Sequence, residues 1–248
     1  MPEAAIIDLT HQVSPQAIRE GAFLLDAAYR YCPPGSIHVA VIDPGVGTAR
    51  RALALRVPGV GIFIGPDNGL CTPILAAHPD AEARAIANPD FTRTTRAGRS
   101  APPSTGGISS CPPPPGWPPG QTSPRSATTS ATATLVRLPH FWATWDGAAR
   151  QVVTGEIVHI DGFGNLVTNI PRRLFAAVAP ERLTGATVTG AGYACRGLVG
   201  TDGAARAGGI VALFGSGDLL EFARVGGRAD RAGGAAIALG IAVTLRLP

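Results

Sequence analysis

A carboxylate and a guanidinium close one glycine-rich loop, Asp43-Pro-Gly-Val-Gly-Thr-Ala-Arg50. The aspartate ends an apolar run, two glycines let the chain double back, and the arginine returns as its partner. Such a pair fixes both side chains and lowers the carboxylate pKa, which suits an anion held beside a reacting group. The plainer alternative is a structural ion pair that stiffens the loop. A second constellation, Asp161-Gly-Phe-Gly-Asn165, puts a carboxylate, an aromatic ring and an amide within five residues. The Asn165 amide offers a donor and an acceptor together, although Asp-Gly and Gly-Asn also make hairpin turns unaided. Ser216 lies between two glycines, and Asp67-Asn68 reads as a structural turn. Cys32, Cys71, Cys111 and Cys195 are far apart, with no CxxC pair and no nearby histidine. Reduced thiols are therefore expected, with no metal.

The elements that must carry these residues follow from periodicity and breakers. Ile18 to Tyr31 has helical apolar spacing and ends before Pro33-Pro34-Gly35. Ser36 to Ile42 is a short β-branched run, read as a buried parallel strand that feeds the Asp43 loop. Ala52 to Val57 and Gly61 to Ile64 give two more strands. This alternation predicts a three-layer α/β N-terminal domain over residues 1–145 with a mostly parallel sheet. From Gly155 onward the pattern changes to short strands between glycines, among them Glu156 to Ile160, Leu166 to Ile170, Ala186 to Val188, Gly209 to Phe214 and Ile237 to Leu245. A small β-barrel or sandwich over residues 150–248 is expected. Between the two, residues 96–134 are crowded with Pro, Ser, Thr and Gly and hold no acidic residue. As a structureless insert in a compact domain, that stretch is anomalous.

Composition narrows the class. The chain is 45% hydrophobic and 15% charged, with no apolar run long enough to span a bilayer. The N-terminus lacks a basic-then-apolar leader, so a cytoplasmic protein is expected. Its net charge is +4. All of its basic residues are arginines, scattered singly or in pairs without interleaved aromatics, which argues against nucleic acid as partner.

Five stretches carry a resemblance in fixed order: IIDLTHQVSPQAIREGAFLL (Ile6 to Leu25), HVAVIDPGVGTARRALAL (His38 to Leu55), IGPDNGL (Ile64 to Leu70), GEIVHIDGFGNLVTNIP (Gly155 to Pro171) and FGSGDLLEFA (Phe214 to Ala223). Together they resemble the S-adenosyl-L-methionine (SAM) hydroxide adenosyltransferases, water-using relatives of the SAM-dependent halogenases. The resemblance implies attack of water on the ribose C5′ of SAM, giving adenosine and methionine. The sulfonium is already a good leaving group, so no cofactor is implied. Asp43 and Arg50 match two members of an Asp–Arg–His triad that holds the water. Asp161 is implied to meet the substrate ammonium, Asn165 to read the adenine edge and Phe163 to pack near the base. Ser216 is implied to meet the methionine carboxylate, and the backbone of Ala229 to contact the base. Gln16 stands where the fluorinating enzymes carry tryptophan. A carboxylate at Asp43 would repel halide, so hydrolysis is favoured over halogenation. Family members resemble one another in forming homotrimers whose sites lie between subunits.

The chain also departs from the family. The resemblance places the triad histidine in an FHGRD-like phrase just where residues 96–134 turn to proline and serine. His11, His38, His78, His140 and His159 all lie elsewhere. With suitable third bases, codons for Ala101 to Cys111 read out of phase can spell Ala-Thr-Phe-His-Gly-Arg-Asp-Ile-Phe-Val. A frameshift entered near Gly98 and left near Leu135 is therefore the expectation, and with it an impaired enzyme. Gly217 replaces the arginine or second serine that often follows Ser216, and no aromatic stands near Thr201-Asp202. The opening strand and ribose-gripping aspartate of the family have no counterpart before the IDLTH motif, an expected truncation. A SAM-dependent halogenase and a non-catalytic binder of SAM or adenosine are the alternatives.

Overall fold

The computed structural model describes residues 5–42, 50–86, 129–130, 134–145, 151–201, 206–233 and 236–248. The chain divides into two compact units, Met1–Leu138 and Pro139–Pro248.

In the first unit, α1 (Ile18–Tyr29) buries Ala22, Phe23, Leu25 and Tyr29, a stripe at helical spacing. It is followed by β1 (Ser36–Val39), β2 (Ala52–Val57), β3 (Gly61–Pro66), α2 (Thr72–Ala77), β4 (Glu82–Ala85) and β5 (Thr129–Ser130). The sheet order is β1-β3-β2-β4-β5. His38 and Phe63 are register partners whose rings stack at 4.6 Å, and Leu55 pairs with Phe63 from the other side. Tyr29 of α1 meets this row edge-on, 5.5 Å from Phe63, and its hydroxyl bonds His78 Nε2 beyond α2 at 3.0 Å. That face is the core.

Two expectations change here. Only β1 with β3 is parallel; β3–β2, β2–β4 and β4–β5 are antiparallel, so the described sheet is mixed rather than mostly parallel. The cause is the short link between β2 and β3. Val57-Pro58-Gly59-Val60 closes with Val60 N–H on Val57 O at 3.1 Å, and Gly59 has φ +71°. Proline then glycine is type II turn chemistry, and a link this short cannot make the crossover that parallel strands need. Second, β1 is not buried on both faces. His38 faces inward, but Ile37 and Val39 are 52% and 57% exposed, so a third layer is not described. Most of residues 96–134 lie outside the described residues.

The second unit contains β6 (Val152–Ile160), β7 (Leu166–Pro171), a 3-10 turn (Arg172–Phe175), α3 (Pro180–Thr184), β8 (Thr187–Gly190), β9 (Tyr193–Arg196), β10 (Leu198–Val199), β11 (Ile210–Phe214), β12 (Leu219–Arg224) and β13 (Ala242–Arg246). They form one sheet, β10-β11-β12-β7-β6-β13-β8-β9. It curls into a nearly closed barrel, and the Cys195 thiol of β9 reaches Ile210 O at the start of β11, 3.6 Å away. Ile157, Leu166, Ile170, Val188, Leu220, Phe222, Val243 and Leu245 fill its interior. All six residues of β7 are buried. Its polar pair is satisfied there: Thr168 Oγ1 donates to Leu220 O at 2.7 Å, and Asn169 receives Glu156 N–H at 2.8 Å and donates to Phe141 O at 3.1 Å.

Candidate functional site

Asp43 lies outside the described residues, and Arg50 stands exposed just before β2. What the structure does show is how the two feet of their loop are held. Asn68 Nδ2 donates to Ile42 O at 3.0 Å, while Asn68 Oδ1 accepts Leu70 N–H at 3.1 Å. Arg51 donates to Asp67 Oδ2 through Nε at 3.1 Å and Nη2 at 2.5 Å. Asp67 Oδ1 takes Val136 N–H at 2.9 Å, and Asp67 N–H returns to Arg51 O at 2.9 Å. Gln16 is exposed in the left-handed region, φ +68°, at the entry to α1.

In the second unit the turn between β6 and β7 is an ordered constellation. Asp161 Oδ1 accepts the N–H groups of Phe163 and Asn165, each at 2.9 Å. Asn165 Nδ2 donates to Asp161 Oδ2 at 2.9 Å, which fixes the amide and leaves its oxygen outside that pair. Phe163 projects outward, 80% exposed. Sequence reasoning missed what braces this turn. Arg228 Nη1 donates to Gly162 O at 2.8 Å, and Arg228 Nε and Nη2 form a two-pronged pair with Asp230, both at 3.0 Å. The hydrogen bond from Arg228 holds the Asp230 carboxyl below its ordinary range. Ala229 and Asp230 both donate N–H to Gly164 O, at 3.1 and 3.0 Å. Ala229 is buried, and its carbonyl accepts the Tyr193 hydroxyl at 2.6 Å. Its N–H and one carbonyl contact are thus already engaged within the protein. A signal existed in Arg-Ala-Asp at 228–230, but its target is 66 residues away.

The structure thus brings together Asp161, Phe163, Asn165 and Ala229, and it does not bring Ser216 to them. Ser216 is exposed at the tip of the β11–β12 hairpin, where Asp218 N–H bonds Gly215 O. Leu219 pairs with Pro171 and Phe222 with Leu166, so this tip and the 161–165 turn flank opposite ends of β7. A six-residue strand spans roughly 20 Å. Among the described residues, no group of three His, Cys, Asp or Glu could hold a metal, and no helix is long and apolar enough to cross a membrane.

Residues 1–101 match the family model described as SAM hydroxide adenosyltransferase N-terminal domain, and residues 155–242 match its C-terminal domain counterpart. The chain belongs to the SAM hydroxide adenosyltransferase family. It is similar to an (R)-S-adenosyl-L-methionine hydrolase of Salinispora arenicola, with 47% identity covering 36% of this chain and 34% of that one. A Thermus thermophilus protein of the same name is 32% identical over 69% of this chain and 65% of its own length. The chain therefore spans less than two thirds of these curated relatives. A solved structure, a conserved hypothetical protein from Thermus thermophilus, superposes with a TM-score of 0.66 at 32% identity, covering 100% of this chain and 88% of that one.

Proposed function

We propose that this protein hydrolyses SAM to adenosine and L-methionine by attack of water at the ribose C5′. The observation that carries this reading is the match to both family domains in order, with relatives of up to 51% identity named as SAM hydrolases. In the reaction, the water oxygen bonds C5′, the C5′–S bond breaks, and its electron pair returns to sulfur. The sulfonium becomes the neutral thioether of methionine, and one proton is released. The protein needs to hold one water in line with the breaking bond and to support its developing hydroxide character. We assign that task to Asp43, oriented by Arg50. Asn165 reads the adenine edge, with Phe163 against the base, and Asp161 keeps the amide oriented. A carboxylate facing the water repels halide, which favours hydrolase over halogenase. Sulfonium chemistry supplies its own leaving group, so the proposed reaction calls for no cofactor.

Asp161 is also assigned to the substrate ammonium and Ser216 to the methionine carboxylate. A homotrimer in the cytoplasm, acting on neither nucleic acid nor membrane, completes the reading.

The absent triad histidine makes the reaction slow. A missing positioned acid–base group costs about 10²–10⁴ in rate. The N-terminal family match ends at residue 101, inside the stretch that reads out of frame, which supports a frameshift over about 99–134. Incubation with SAM, followed by chromatography, tests the function. Slow release of adenosine, abolished by Asp43→Asn and unchanged by chloride or fluoride, is expected. Halogenated adenosine would make the protein a halogenase, and binding without turnover would make it a SAM or adenosine binder.

A further inference from the structure

We propose that Asp67 and Asn68 are positioning residues that latch both feet of the 43–50 loop; this rests on the roles given above to Asp43 and Arg50. The topology requires something at this place. β3 lies between β1 and β2 in the sheet, so the end of β1 and the start of β2 stand on either side of the carboxyl end of β3. β3 ends at Pro66, and the next two residues are Asp67 and Asn68. Each takes one foot. Asn68 holds the carbonyl of Ile42, the residue before Asp43, at 3.0 Å. Asp67 holds Arg51, the residue after Arg50, by a two-pronged side-chain pair and a backbone bond.

Turn formation alone asks only for the Asn68 side-chain oxygen. The φ of +95° that makes the turn falls on Gly69, and Leu70 N–H needs only the Asn68 oxygen. The Asn68 NH2 and the Asp67–Arg51 pair are directed at residues 26 and 16 positions away. Asp67 and Asn68 are 6% and 5% exposed, so water is a poor substitute partner. Two adjacent buried polar residues thereby set the separation between the ends of a loop whose chemistry depends on the separation of its own two charged groups. Displacement of a reacting group by about 1 Å is enough to cost roughly 10²-fold in rate.

The test compares the full chain with two variants. Asn68→Asp keeps the acceptor for Leu70 and loses the donor to Ile42; Asp67→Asn keeps the shape and loses the charge facing Arg51. Amide hydrogen exchange, followed by mass spectrometry, is read on peptides covering 43–50, 52–66 and 152–171, alongside kcat and KM for adenosine release. The expected result is faster exchange confined to 43–50, with kcat down about 10- to 100-fold and KM within about twofold. Unchanged exchange at 43–50 in both variants overturns the latch. So does faster exchange spreading through 52–66, which would make the pair ordinary scaffold. If exchange responds while the unaltered chain releases no adenosine, the latch stands and the hydrolase reading falls. If adenosine is released without an exchange response, the hydrolase reading stands and the latch falls.

Discussion

His38 carries a cost that depends on pH. It is buried against Phe63 and Tyr29, and its Nε2 has no hydrogen-bond partner among the described residues. Burial disfavours the imidazolium and lowers the pKa from the ordinary 6.5. The unfolded chain therefore takes up the proton first as pH falls. Stability is complete above pH 6.5 and declines below it, until the lowered folded value is passed, by at most about 1.4 kcal/mol per pH unit for one proton. Denaturant midpoints from pH 7.5 to 5 should show this slope, and His38→Leu should flatten it. The thiols differ by the same physics. Burial, reinforced by the nearby Asp67 carboxylate, pushes Cys71 up to about 12, and burial also raises Cys195. Alkylation at pH 8 should label Cys71 and Cys195 slowly, because the thiolate is the reacting form. Peptide mapping that finds Cys71 labelled first would contradict the packing around α2.

At the scale of elements, the β6–β7 turn gains its order from Arg228 to Asp230, in the segment that follows β12. Gly164 has φ +84°, and a Cβ there would come within 2.6 Å of Asp230 Oδ1. Both strain and contact thus restrict the position to glycine. Gly164→Ala should destabilise the second unit by about 1–2 kcal/mol from the backbone alone. Arg228→Gln loses the bridge between Gly162 and Asp230 without touching the core. Calorimetric titration with adenosine should then show affinity weakened by about tenfold, the equivalent of one hydrogen bond. Unchanged affinity would detach the brace from ligand binding.

For the whole molecule, two units imply two unfolding events to be tracked separately. Ile157 is fully buried in the barrel, so Ile157→Ala should cost the second unit about 2–5 kcal/mol. The predicted homotrimer would have three times the 25.3 kDa mass of one chain, which light scattering can read directly. A monomer that still turns over SAM would place the whole reaction within one subunit.

Much of this was legible without coordinates. α1 and the strands β1, β2, β3, β6, β7, β8, β11 and β13 follow from apolar spacing between glycine and proline breakers, because periodicity is a local property of the chain. β9, β10 and the six-residue β12 are not among the strands read from that spacing. The β8–β9 hairpin turns on Ala191 and Gly192, both at positive φ, and Ala191 carries no sequence signal for that conformation. The motifs identified the family and the residue types at the site, since residues only four positions apart, such as Asp161 and Asn165, share one turn. Only the tertiary structure decided strand direction, the open face of β1, the separation of Ser216 from Asp161, and the partners of Asp67, Asn68 and Arg228. Those depend on which distant backbone segments become neighbours. Hydrogen bonds across 16, 26 and 66 residues are selected by sheet order and register, which no local spacing encodes.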